Sequence, residues 1–156
     1  SKTFLSDHLM GLKPFIGNTY KGSFINSTKE NPMIDVISFE RTLNGRAVKV
    51  IHSVNNGEYG GETIVMWNPE KRSIQSWYFT SAGSLTIQNV QIKESTFISI
   101  EDVAGNQNGI TKVKTIIEFL DRKQIQKRTK YLINNLWKDG SEIIYNKVND
   151  LKPEFN

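Results

Sequence analysis

The sequence predicts an all-β fold: a closed, antiparallel up-and-down barrel of about eight to ten strands with a short helix before it. Three observations carry this. The chain holds 18 Ile, 9 Val and 11 Thr against only 9 Leu and 3 Ala, a balance that suits pleated sheet better than helix. Turn signals recur every eight to twelve residues or so, the spacing of successive hairpins. No interval between them has room for a crossover helix, which excludes parallel βαβ units.

Taken in order, the first element is the helix. Ser6 is placed to cap it, Leu5, Leu9 and Leu12 form its apolar stripe, and Pro14 limits it. A helix this short is not stable alone, so the stripe is expected to lie across the mouth of the barrel. A first strand with weak alternation follows over Asn18–Ile25. Strands are then expected at Val36–Leu43, Ala47–Val54, Glu62–Trp67, Ile74–Thr80, Leu85–Ile92, Phe97–Val103, Lys112–Leu120, Ile125–Leu132 and Glu142–Val148. Between them stand Asn44-Gly45, Asn56-Gly57, Asn68-Pro69, Ala82-Gly83, Gly105 to Gly109, Asp121–Lys123, Asn134-Asn135 and Asp139-Gly140. A flat sheet of this width leaves edges exposed, and closure removes them. Nothing divides residues 1–156, so one domain is expected.

The 156 residues include no cysteine, which excludes disulfide scaffolds, iron–sulfur ligation and thiol nucleophiles. The two histidines, His8 and His52, show no metal-ligand spacing, so no metal and no cofactor are expected. Neither a GxSxG elbow nor a glycine-rich phosphate loop is present. No apolar run approaches the roughly 20 residues of a membrane span, so a soluble domain is expected. The chain opens at Ser1 without an apolar signal core, compatible with cytoplasmic residence or with export after signal removal. Net charge is +4. The basic residues Arg122, Lys123, Lys127, Arg128 and Lys130 lack an interleaved aromatic, and they read as a solvated strand edge rather than a nucleic-acid surface.

The Asn44-Gly45 hairpin sets a register. It opposes Arg41 to Val48, Phe39 to Val50 and Ile37 to His52, and Glu40 to Lys49 on the other face. The next hairpin opposes His52 to Gly61 and Val50 to Thr63. One face then carries Phe39, Val50, His52, Thr63 and Trp67, and the other a Glu40–Lys49–Glu62 ladder. Charges on neighbouring strands are cheap in water and costly inside, so the first face is expected to be the lumen. Tyr78 joins it if Asn68–Lys71 is a four-residue loop, which would set Tyr78 opposite Gly61. Val113, Thr115, Ile117, Thr129 and Tyr131 join it if Asp121–Lys123 is a three-residue turn. Apolar walls with a few polar groups describe a small-molecule pocket.

The expected ligand-binding residues are therefore Phe39, Arg41, Val50, His52, Gly61, Thr63, Trp67, Tyr78 and Tyr131. His52 reads either as a ligand contact or as a core histidine bonded to a hydroxyl. Arg41 stands near a strand end, within reach of solvent. No catalytic set is expected; an enzyme would draw on His52, Glu40 and Glu62.

Gly17-Asn18-Thr19-Tyr20-Lys21-Gly22, following the helix, resembles the Gly-x-x-aromatic-x-Gly opening of lipocalin-like barrels of the calycin type. Ile51–Lys71 and Val103–Thr111 are similar to a set of bacterial lipocalin-like domains. The resemblance spans Leu12–Val148, with Tyr20 where the lipocalin signature has Trp. It implies a closed barrel with an internal cavity and brings no catalytic residues.

Two functions follow. The leading one is a binding module for a small hydrophobic or amphipathic molecule in the lumen. The alternative is an enzyme doing acid/base chemistry on a small hydrophobic substrate in the same cavity. An interaction domain, with a filled lumen and an exposed apolar patch, is a third class.

Overall fold

The β-branched segments pair as successive hairpins in the computed structural model, which describes residues 3–104 and 108–156. The strands are β1 (Thr19–Ser23), β2 (Ile34–Thr42), β3 (Ala47–Val54), β4 (Tyr59–Asn68), β5 (Ser73–Thr80), β6 (Leu85–Lys93), β7 (Thr96–Asp102), β8 (Ile110–Phe119), β9 (Gln124–Ile133) and β10 (Leu136–Val148). Each is antiparallel to its sequence neighbour, and β1 pairs with both β2 and β10, which closes a ten-stranded barrel. The turn expected at Gly105–Gly109 lies partly outside the described residues.

The register through β2, β3 and β4 is the one the Asn-Gly signals imply, with Phe39 opposite Val50 and His52 opposite Gly61. The turn itself is longer than a two-residue hairpin. Pairing stops at Thr42 and Ala47, and Leu43, Asn44 and Gly45 all take positive φ. The β4–β5 connection differs more. Asn68 pairs with Ser73, and its Oδ1 accepts from the backbone N–H of Glu70 and of Lys71 at 3.0 and 3.3 Å. This Asx turn extends pairing past the expected point, so Tyr78 faces Thr63 rather than Gly61. A slip of two keeps every side chain on its face.

The N-terminal helix is a 3₁₀ helix, Asp7–Phe15, and it lies across one end of the barrel. Leu9, Leu12 and Phe15 are buried in the core with Tyr20, Phe39, Val65 and Ile125. Burying each of these apolar side chains contributes roughly 1.5–3 kcal/mol. Ser6 does not cap with its side chain; its backbone N–H donates to the carbonyl of Gly45 at 2.8 Å. Gly11 allows close approach to the β6–β7 turn, since a Cβ there would meet the Glu94 carbonyl at 2.3 Å. The packed core thus fills the helix-covered end of the barrel.

No helix among the described residues is long and apolar enough to cross a membrane. On the outside, Phe79, Leu85 and Ile87 on β5 and β6 are exposed side chains.

Candidate functional site

Inward side chains of β2, β3 and β4 alternate as their register dictates, and β2 begins early enough to include Asp35 on the face of Ile37 and Phe39. Asp35 is fully buried. One carboxylate oxygen meets His52 Nδ1 at 3.0 Å, and the other accepts the Tyr145 hydroxyl at 2.7 Å. His52 Nε2 lies 2.7 Å from the Tyr78 hydroxyl. An acceptor-only carboxylate assigns the proton to Nδ1, so in neutral imidazole Nε2 accepts from Tyr78. A continuous polar row results: Tyr145, Asp35, His52, Tyr78.

Two glycines let this row form. Gly22 on β1 lies between Tyr145 and Asp35, and a Cβ there would stand 3.0 Å from the Tyr145 ring and 2.7 Å from Ile143. Gly61 on β4 lies beside His52, and a Cβ there would stand 2.5 Å from the Tyr78 ring. Each tyrosine leans over a glycine to reach the central pair. Burial, reinforced by the neighbouring Tyr59 hydroxyl and by the charges of Tyr59 and Asp35, raises the Tyr78 phenol well above its ordinary pKa. Burial also raises Tyr145, with the Asp35 charge and hydrogen bond adding to it. Both phenols therefore stay protonated and act as donors.

His52 and Tyr78 of this row line an internal cavity of about 450 Å³, within the range of about 300–1,000 Å³ typical of small-molecule sites. Leu12 of the helix lines it, with Ile37, Phe39 and Val50 from β2 and β3. The far side sets polar groups among Phe97, Val113 and Ile117. Ser76 Oγ donates to Gln88 Oε1 at 2.6 Å, and Gln88 Nε2 donates to Thr86 Oγ1 at 2.5 Å. Glu101 reaches the same Thr86, and burial raises its carboxyl pKa while that hydrogen bond opposes the rise. Ser99, Thr115, Lys127 and Thr129 complete this side.

Of the residues expected in the lumen, Phe39, Val50, His52, Thr63, Tyr78 and Tyr131 line the cavity. Three do not. Trp67 lies at the helix-covered end, where its ring stacks on His8 at 3.6 Å between centroids. Arg41 donates from Nε to the Phe4 carbonyl at 2.6 Å and holds the N-terminal segment instead. Gly61 opens no space for a ligand, because the Tyr78 ring fills it.

The conditional acid/base set of His52, Glu40 and Glu62 does not assemble. Glu40 and Glu62 face outward with Lys49, whose Nζ is 4.0 Å from Glu62 Oε1. The reading of Arg122–Lys130 as a solvated edge also fails in part: closure leaves no edge, and Lys127 points inward. The sequence reading missed Asp35, Tyr145, Glu101 and Lys127. The signal for Lys127 was available, since it alternates with Thr129 and Tyr131 on the face already assigned to the lumen.

Among the described residues no group of three or more His, Asp or Glu side chains is placed to hold a metal ion. No protein-family model matches the chain, and no curated protein matches it either.

Proposed function

We propose that this barrel binds a small amphipathic molecule in its lumen, as a lipocalin-like binding module. The observation that carries the reading is the internal cavity of about 450 Å³, mostly apolar on the β2–β3 side apart from His52 and richer in polar groups on the β6–β9 side. A ligand with one apolar and one polar part matches such a division. The lipocalin-like reading draws support from the opening motif. Tyr20 is buried edge-on against Phe39, and Gly22 gives passage to Tyr145. Native mass spectrometry after gentle purification tests the proposal, together with displacement of a fluorescent fatty acid. A co-purifying small molecule or micromolar displacement is expected. A lumen that takes up no probe at micromolar concentration overturns it.

One observation favours the second reading, acid/base catalysis on a hydrophobic substrate. A buried Asp35 orients His52, and His52 in turn holds the Tyr78 hydroxyl at the cavity wall. With its proton given to His52 Nε2, that hydroxyl turns its lone pairs to the cavity and can accept a substrate proton as His52 takes the phenol's own, the task of a general base. Mass analysis of the bound molecule after incubation separates the readings: a binding module returns it unchanged, and an enzyme returns a product that Tyr78→Phe no longer forms.

A further inference from the structure

Lys127 is a cation on the inside of the barrel. It pairs across β9 with Ile117 on β8 and Ile143 on β10, both buried, and it lines the cavity. Its outward neighbours are matched with carboxylates: Arg128 with Glu118 at 3.6 Å, and Lys130 with Asp139 at 3.2 Å. Among the described residues Lys127 has no such partner, neither an ion pair nor a hydrogen bond. A charge held among apolar side chains without a partner is unfavourable, so its placement calls for one.

The row next to it is made of hydroxyls. Ser99 faces Thr115 and Thr115 faces Thr129, which sets three hydroxyl groups side by side on β7, β8 and β9. Ser141 Oγ extends the row by donating to Thr129 Oγ1 at 3.2 Å. The hydroxyls of Ser99 and Thr115 have no hydrogen-bond partner among the described residues and line the cavity. An ammonium beside free hydroxyl donors is the chemistry that receives an oxyanion through charge-assisted bonds.

We infer that Lys127, with the hydroxyls of Ser99, Thr115 and Thr129, anchors the carboxylate of the lumen ligand, which makes that ligand a small amphipathic carboxylic acid. The inference rests on the lumen-binding reading and gives it a substrate class. A monoanion matches the single ammonium. A dianion such as a phosphate ester would bring a second charge toward Glu101, which stands on β7 beyond the hydroxyl row. The apolar body lies against Ile37, Phe39 and Val50 on β2 and β3; β3 and β8 are five strands apart in the ring of ten, on opposite walls.

The test is a paired panel of medium-chain alkanoates and arylalkanoates against their primary amides. Binding is read by displacement of the uncharged dye Nile Red and by isothermal titration calorimetry. The wild type is expected to bind the acids at least about tenfold more tightly than the amides. Lys127→Met is expected to abolish the preference for acid over amide, whereas Lys127→Arg keeps it. Should Lys127→Met fold poorly, the double change Ser99→Ala with Thr115→Val is expected to shrink the same preference severalfold. Equal affinity for acid and amide in the wild type, or a preference that survives Lys127→Met, overturns the anchor and leaves lumen binding standing. Failure of the dye and of both panel members to bind overturns lumen binding itself, and the anchor with it.

Discussion

Gly22 and Gly61 stand on the two strands that flank the Asp35–His52 pair, and a tyrosine leans over each of them to reach it. The polar row therefore depends on two missing side chains as much as on the four that form it. Neither glycine needs a positive φ. Space, not backbone conformation, fixes their identity.

Gly61→Ala is accordingly expected to destabilise more than a strand alanine normally does. Its Cβ would lie 2.3 Å from the Phe79 carbonyl and 2.5 Å from the Tyr78 ring, so both backbone and ring must shift. Gly22→Ala meets the Ile144 carbonyl at 2.8 Å as well as the Ile143 and Tyr145 side chains. Each is expected to cost about 1–3 kcal/mol, the usual range for overpacking. Urea titration of the two variants measures this, and losses under a few tenths would contradict it.

Asp35→Asn keeps the shape of the side chain and turns one acceptor into a donor. Either Tyr145 or His52 then faces a donor with a donor. A loss of about 2–3 kcal/mol is expected, the scale of a hydrogen bond to a charged group. Tyr145→Phe removes one bond and leaves Asp35 with His52, so it should cost less. The reverse order of the two losses would count against Asp35 as the hub.

His52→Ala tests two roles together. Because His52 ties Asp35 to Tyr78, its removal is expected to lower stability by at least about 2 kcal/mol by leaving a buried charge short of a partner. Lumen affinity should also fall by about 1 kcal/mol or more as Tyr78 loses its hold. Thermal melting reports the first effect and probe titration the second. Unchanged affinity beside a large stability loss would make His52 a core residue only.

Glu101 supplies a pH dependence whose sign is fixed. Burial raises its folded-state pKa above the ordinary value of 4.5. Its contribution is thus most favourable when protonated and is lost as pH rises through the folded pKa. Glu101→Gln is expected to melt at a higher temperature than the wild type near neutral pH, with the gap narrowing as pH falls through the folded-state pKa and closed below about 4.5. A gap that is constant with pH would assign the gain to something other than ionisation.

Much of the barrel was legible from local chemistry. Asn44-Gly45 and Asn56-Gly57 set the register of β2, β3 and β4, and Asp121–Lys123 sets that of β8 and β9, with the Leu120 N–H donating to the Gln124 carbonyl at 3.1 Å. Where a turn is shaped by a side chain, as by Asn68, spacing alone misjudged the pairing by two. The site was legible in part. Alternation placed His52, Tyr78 and Tyr131 inside, yet the second strand was expected to begin at Val36, one residue too late to include Asp35. Lys127 was hidden by its basic neighbours, which drew it into a surface reading. Trp67 and Arg41 share the inner face but lie at the helix-covered end, and alternation says nothing about depth along the axis.

Leu12 belongs both to the packed core and to the cavity wall. A molecule bound against that wall, as proposed above, would rest on the N-terminal helix and help to hold it down. Docking of that segment and occupancy of the barrel would then be thermodynamically linked, each strengthening the other by the same factor. Amide exchange at Leu9–Phe15 would slow as ligand is added, although most of those amides never touch the ligand. The helix is in this sense a built-in gauge of filling, readable from outside the barrel.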